Sequence, residues 1–520
     1  MADDALMVDQ GILSCLKYNP TPSILYVIKS EFLSPIAHYH FGWEVFPMDR
    51  RKVKFRLLSM LFCLTILAGC ATLRPGICKA KVPPVADLDP IYELPTIPLA
   101  EKEAVHFDAI IEHHLNEQGY LLYRSYLPLS HPENYQLSHN GADHPAWHGH
   151  WMAALAMRLA VEGTSPEVKS LLHEAVEGLW TNFKATGITG LLARAYLKYE
   201  GDEPLPWMAT EEQEPTKFWQ KGENGFWFRN GVAKDHYRGA VFGLATVVGL
   251  ENRGAIFLDQ ATSKLVRKTL VEIAHYLIDN KYRIIDVSGR VTEFGRLDDW
   301  LYNGFDGLQL LAMLRAGKAI GDEKCAREYN WLLLFGASKV IAITLGGLGD
   351  FYAMIGRENA FGHFSDYMAI YTNAFTLFLN SDEKDRRVLV DITYALRKMW
   401  QFLRYSRKSY MTFIQAVLSE VSEEEREQAL ETLRMFPDDK RFISNLELEE
   451  THSVQPIPNQ YINSHYWKAD YFRKANLTDA SERIDIEHSG QDYLFVYWMG
   501  RYFGLISEEE AIAPVIWADE

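Results

Sequence analysis

Residues 275–314 read "HYLIDNKYRIIDVSGRVTEFGRLDDWLYNGFDGLQLLAML". From Leu308 onward apolar residues recur at spacings of three (Leu308, Leu311, Leu314) and four (Leu310, Leu314), the period of a helix with one packed face. Before it, "YRIIDVSGRVTEFGR" at 282–296 alternates apolar and polar residues around Ser288-Gly289, which predicts a short β-hairpin. A helical pattern runs into the hairpin and another leaves it, so the hairpin is an ornament between helices.

Working outward, the helical period predicts helices at 101–118, 146–162, 166–185, 232–250, 260–280, 303–320, 322–344, 362–380, 382–405, 409–419, 422–435 and 490–504. Cap chemistry marks several starts, such as "TSPE" at 164–167 and "NSDEKD" at 380–385. Residues 436–488 hold prolines and polar residues without a helical period and predict a long irregular loop. No self-similarity near the 34-residue period of a helical-repeat solenoid is present. One large all-α domain of about twelve helices, a barrel or superhelix, is the economical reading.

The formal net charge of -16 makes nucleic acid an unfavourable partner, because no basic stripe offsets phosphate repulsion. Aromatic residues make up 13% of the chain, which suits both a large core and a cleft that stacks on sugar faces. Phosphate loops, nucleophile elbows and zincin motifs are lacking, so no cofactor or metal is expected.

Residues 48–70, "MDRRKVKFRLLSMLFCLTILAGC", place a cationic cluster before an apolar run too short to span a bilayer. "LAGC" resembles the lipobox of bacterial lipoproteins, which implies cleavage after Gly69 and lipid on Cys70. Ala71 resembles the pattern sorted to the outer membrane. On this reading 1–47 is an over-extended start, 48–69 a lipoprotein signal peptide, and 70–100 a lipidated Cys70 with a proline-rich tether. The remaining cysteines, Cys78 and Cys325, either pair or stay free. Without a C-x-x-C pair, no thiolate zinc site is implied.

Four further stretches carry a resemblance: "GTSPEVKSLLHEAVEGLWTNFKATGITGLLARAYLKYEGD" from Gly163, "KDHYRGAVFGLA" from Lys234, "HYLIDNKYRIIDVSGRVTEFGR" from His275 and "SGQDYLFVYWMGRYFGLI" from Ser489. Together they resemble uncharacterised bacterial proteins of the six-hairpin glycosidase-like superfamily, over roughly residues 140–506. The resemblance implies an (α/α)6 toroid over 101–520, with a cleft where inner-helix starts and loops converge. Members of that superfamily include glycoside hydrolases, polysaccharide lyases and sugar epimerases, and the fold alone does not choose among them.

Candidate chemistry gathers in five places. In "DHPAWHGHW" (Asp143–Trp151) the histidines do not share one helical face, because Pro145 suits the first helical turn and His148 and His150 point apart. Asp143, Trp147 and His148 are expected at a cleft mouth, with Trp147 as a sugar shelf and Trp151 in the core. In "KDHYRG" Asp235 stands at a helix start beside His236 and Arg238, either as a cap or as a cleft carboxylate. In "RLDDWLYNGFDG" Asp298, Asp299 and Asp306 surround a loop, with Arg296, Trp300 and Asn303 as ligand contacts. Glycoside hydrolysis needs two carboxylates, and Asp235 with Asp298 or Asp299 offers the pair. In "ENAFGHFSDYMAIY" His363 is an acid/base candidate one turn before Asp366. Tyr466 and Trp467 in the long loop are lid candidates.

The expected function is therefore a lipid-anchored, outer-membrane protein that binds a carbohydrate, with glycoside hydrolysis the expected reaction if it is an enzyme. Two alternatives stay open. A lyase of the same fold would use His363 or Tyr466 as base, with Arg238 and Asn303 neutralising a uronate, and a scaffold would bind envelope glycan without turnover.

Overall fold

A computed structural model describes residues 97–126, 135–138, 143–205, 208, 218–355, 364–434, 436, 486–487 and 489–513. By contact the chain divides into two units, Met1–Leu73 and Arg74–Glu520, and every described residue belongs to the second. Fourteen α-helices and eight short strands are present among the described residues, so the fold class is all-α.

Six helices are buried on nearly every side: α2 (His144–Glu162), α4 (Lys234–Asn252), α6 (Gly304–Ala319), α9 (Phe364–Asn380), α11 (Ser409–Leu418) and α13 (Gln491–Tyr502). A helix apolar all round belongs in a core, and α4 is buried continuously from His236 to Leu250. These six pack in succession, α2 on α4, α4 on α6, α6 on α9, α9 on α11 and α11 on α13, and α13 returns to α2. Rings from five of them meet in the middle: His150 with Phe242 (4.8 Å), Phe242 with Phe495 (4.9 Å), Tyr410 with Phe495 (5.5 Å) and Phe375 with Phe495 (6.0 Å). The interior is thereby filled with aromatic surface.

The tightest contact, α2 against α4, depends on glycine. A Cβ on Gly149 would lie 1.8 Å from Gly239 O, and one on Gly239 would lie 2.2 Å from Ala146 Cα. Only hydrogen at these positions lets the two backbones touch.

Amphipathic helices pack outside: α1 (Leu99–His113) on α13, α3 (Pro166–Thr186) on α2, α5 (Gln260–Asp279) on α4, α7 (Glu323–Leu334) and α8 (Ala337–Ile355) on α6, α10 (Arg386–Leu403) on α8 and α9, and α12 (Glu423–Arg434) on α11. The short α14 (Glu508–Ile512) rests on α1.

Three expectations need correction. The helix expected at 322–344 is two helices, because Gly336 adopts φ 79° and the chain bends by 60° there. Strands extend beyond one hairpin. The expected hairpin is present as β6 (Arg283–Ile285) and β7 (Val291–Arg296), with Gly289 at φ 79° in its turn. An antiparallel sheet of β3 (Ala195–Lys198), β5 (Phe226–Arg229) and β4 (Trp219–Lys221), in that order, also lies between α3 and α4 in the chain. In addition β1 (Tyr123–Tyr126) pairs with β2 (Tyr135–Ser138) and with β8 (Ile486–Glu487). The last of these falls inside the stretch expected to be irregular, most of which lies outside the described residues. No single described helix is long and apolar enough to cross a membrane.

Candidate functional site

The first turns of α2, α4 and α6 bring charged groups together. Helix α4 begins at Lys234, with Ala233 as the capping residue, so Asp235 sits in the first turn and is not itself the cap. Its carboxylate accepts from Arg238 Nη1 at 2.8 Å, one turn on. Enclosure by its neighbours works to raise the Asp235 carboxyl, but Arg238, His236 and Lys234 outweigh that and hold it below the usual carboxylate value. Asp235 is half-exposed and ionised, whereas Arg238 is buried.

His236 links two helix starts. The Ala233 N–H donates to Nδ1 at 2.8 Å, which leaves the ring proton on Nε2, and Nε2 lies 3.4 Å from Asp143 Oδ1 of the α2 start. Asp143 makes no capping hydrogen bond to its own helix. Its carboxylate is held across the gap between helices instead.

Lys234 reaches α6, where its Nζ donates to Asp306 Oδ1 at 2.6 Å and lies 5.1 Å from the Phe305 ring centre. Asn303 caps α6 by accepting from the Phe305 N–H at 3.1 Å, and it donates to Asp306 Oδ2 at 2.9 Å. Gln309 Nε2 donates to the Lys234 carbonyl at 2.8 Å and locks the two helix starts in register. Burial raises the Asp306 carboxyl, Lys234 opposes this, and the charges of Asp299 and Asp235 add to the rise. Asp299 and Asp235 are therefore electrical neighbours of one buried carboxyl.

Other expected residues lie elsewhere. Asp298 is held by a two-pronged contact from Arg296, 3.1 Å to each oxygen, with Arg283 at 3.8 Å from Oδ2. Those bonds tie the end of β7 to the loop before α6. Asp299 accepts from the Tyr302 hydroxyl, and its carbonyl accepts from the Asn303 N–H at 3.0 Å. Trp300 is buried against Trp331, ring centres 5.5 Å apart, so the expected ligand contact is a packing contact.

The motif at Asp143–Trp151 is corrected most. Trp147 is 1% exposed and His148 is fully buried, so neither offers a surface to a sugar. His148 accepts from the Leu121 N–H at Nδ1 (3.1 Å) and donates from Nε2 to the Ala175 carbonyl (2.6 Å). Burial lowers it to about 4 against the opposing pull of that carbonyl, so it is a neutral strut between α2, α3 and the 114–122 turn. Trp151 is core, as expected. His363, Tyr466, Trp467, Cys70 and Cys78 lie outside the described residues, while Cys325 is a free, buried thiol.

Sequence reasoning did not single out Lys234, and it left Asp306 outside the reacting pair. The signal for Lys234 is its place immediately before Asp235 at a helix start, and for Asp306 its place three residues after the capping Asn303. Compared with protein-family models, curated proteins and solved structures, the chain matches none.

Proposed function

We propose that this chain is a lipid-anchored envelope protein whose helices form an (α/α)6 toroid of the six-hairpin glycosidase-like type, binding a glycan at the inner-helix starts. The observation that carries the reading is the unbroken succession of six buried helices, with ionised or paired carboxylates gathered where three of them begin. In that arrangement α1, α3, α5, α7 with α8, α10 and α12 supply the outer layer.

On this reading Asp235 is the reacting carboxylate, because it is half-exposed and stays ionised. Asp299 is its partner, reaching the same charge neighbourhood through Asp306. Asp306 is a positioning residue: buried against Lys234 and Asn303, it fixes the cation beside Asp235. Two carboxylates flanking one oxygen are what glycoside hydrolysis requires.

The test is a glycan panel. Hydrolysis releases new reducing ends, and Asp235→Asn lowers that rate at least a hundredfold without lowering thermal stability by more than a few degrees. An ultraviolet-absorbing unsaturated product would replace the hydrolase with a lyase. Binding that survives Asp235→Asn with no turnover on any glycan would replace it with a scaffold. The anchor has its own test: lipid label is incorporated by the wild type and lost in Cys70→Ser.

A further inference from the structure

On the outer flank, away from the charged helix starts, α5 and the start of α7 bring unlike donors together. His275 Nε2 lies 3.0 Å from both Asp322 oxygens. The same carboxylate accepts from the Cys325 N–H at 2.7 Å, and the imidazole nitrogen, a carboxylate oxygen and the Cys325 sulfur all lie within 4.8 Å of one another. Capping α7 requires only Asp322 and a backbone N–H. It does not require an imidazole and a thiol on the same carboxylate.

Glu272 adds a fourth group. It stands one helical turn before His275 on α5, as Asp322, the capping residue of α7, stands three residues before Cys325. Glu272 Oε1 is 4.0 Å from Lys268, while Oε2 is buried without a hydrogen-bond partner. Glu272 and Asp322 both line an open cavity of about 610 Å³ between α5 and the α6–α7 turn, which gives an ion a way in.

We propose that His275, Asp322 and Cys325 form a binding site for a zinc-like divalent cation, with Glu272 or water as the fourth ligand. One nitrogen, one sulfur and one or two carboxylate oxygens are a donor set that zinc takes in tetrahedral geometry. Bonds of about 2.0–2.3 Å in tetrahedral geometry place donors roughly 3.3–3.7 Å apart, so binding parts the 3.0 Å His275–Asp322 contact slightly, while donors nearer the 4.8 Å limit draw inward. Ligation by Cys325 releases the thiol proton to solvent as the metal–sulfur bond forms. The inference does not depend on the glycan reading.

Cobalt(II) added to the full chain tests it, since a cobalt–thiolate bond gives a charge-transfer band and a tetrahedral site gives intense visible bands. One equivalent should bind with both signatures, and Cys325→Ser should remove the charge-transfer band and weaken binding at least tenfold. His275→Gln keeps a donor for Asp322, so it should fold and melt as wild type in chelator yet also lose at least tenfold in affinity. Absence of the bands in wild type overturns the proposal. So does a charge-transfer band that persists in Cys325→Ser, which would place the metal on another of the five cysteines.

Discussion

The histidines of α2 and the charged starts of α4 and α6 are close in the fold and opposite in chemistry. His148 and His150 are fully or almost fully buried and bond to backbone carbonyls, His148 to Ala175 and His150 through Nδ1 to Ala146 at 2.9 Å. Burial lowers both to about 4. At the neighbouring helix starts Asp143 pairs with His236, Asp235 with Arg238 and Asp306 with Lys234, and Asp235 remains half-exposed. Density of titratable residues in the sequence therefore marks the wrong place. What distinguishes the two regions is the partner: backbone carbonyls bond the first, and charged or polar side chains, from the same helix and from its neighbours, organise the second.

The contrast rests on α2 being held hard against α4, and that is the place to break it. Gly149→Ala puts a methyl within 1.8 Å of Gly239 O, backbone against backbone, and neither helix has room to retreat. The expected loss is more than about 4 kcal/mol, a large share of a domain's stability, read by urea unfolding. Gly163→Ala at the end of the same helix, where nothing lies within 4 Å but φ 79° with ψ -134° is a conformation nearly confined to glycine, should cost about 1–3 kcal/mol. Equal losses at the two sites would mean that the α2–α4 contact is not close.

His148→Ala comes next, at about 3 kcal/mol. It removes both partners of a buried N–H and a buried carbonyl and leaves a cavity. A loss below about 1 kcal/mol would return His148 to the list of ligand-facing residues.

The all-α class and most helix positions were legible because helix periodicity is a local signal. The α5 and α9 patterns predicted at 260–280 and 362–380 end within two residues of the observed Gln260–Asp279 and Phe364–Asn380. The sheet of β3, β5 and β4 was not legible. Its strands are three or four residues long, and "FWFR" at 226–229 is too short to show a period. At the site, Asp235 and Arg238 could be read from i, i+3 spacing. The Lys234–Asp306 and His236–Asp143 contacts could not, because each joins different helices and depends on how those helices are packed. The His275–Asp322–Cys325 cluster is hidden for the same reason: its donors come from α5 and from the start of α7, and not as C-x-x-C.

The two regions also differ in the pH window where they matter. A histidine lowered to about 4 in the folded state binds its proton first when unfolded, near 6.5. Its contribution to stability is complete above 6.5 and is lost as pH falls toward 4, by at most about 3 kcal/mol for each histidine. Glu103 works the other way. Burial, opposed by Arg158 and Trp498, raises it to about 7, so the folded state gains stability as pH falls from 7 toward 4.5. The wild-type curve mixes both effects, and His150→Phe separates them while keeping an aromatic ring among Phe242, Tyr410 and Phe495. The variant should gain on the wild type by about 2 kcal/mol between pH 7.5 and 4.5, read as the difference of two urea midpoints. Asp235 is held below the usual carboxylate value, so its contribution is lost only below pH 4 and does not enter that window. Parallel curves would mean that the fold leaves the His150 pKa where the unfolded chain has it.

The smallest expected effect separates Asp298 from the carboxylates across the helix starts. Asp298 is bonded by Arg296, whose side chain is 53% exposed, and pairs of that kind contribute at most about 1 kcal/mol because water competes for both charges. Asp298→Asn keeps an oxygen acceptor for Arg296, so its unfolding midpoint should stay within that margin of the wild type. Its rate in the glycan panel should also stay within about threefold. Asp306→Asn differs in kind, because it takes the charged partner from Lys234 and shifts the cation beside Asp235, so the rate should fall at least tenfold more than in Asp298→Asn. If Asp298→Asn is the more damaging of the two, the reacting pair belongs on the hairpin side and Asp306 is only a buried anchor for α6.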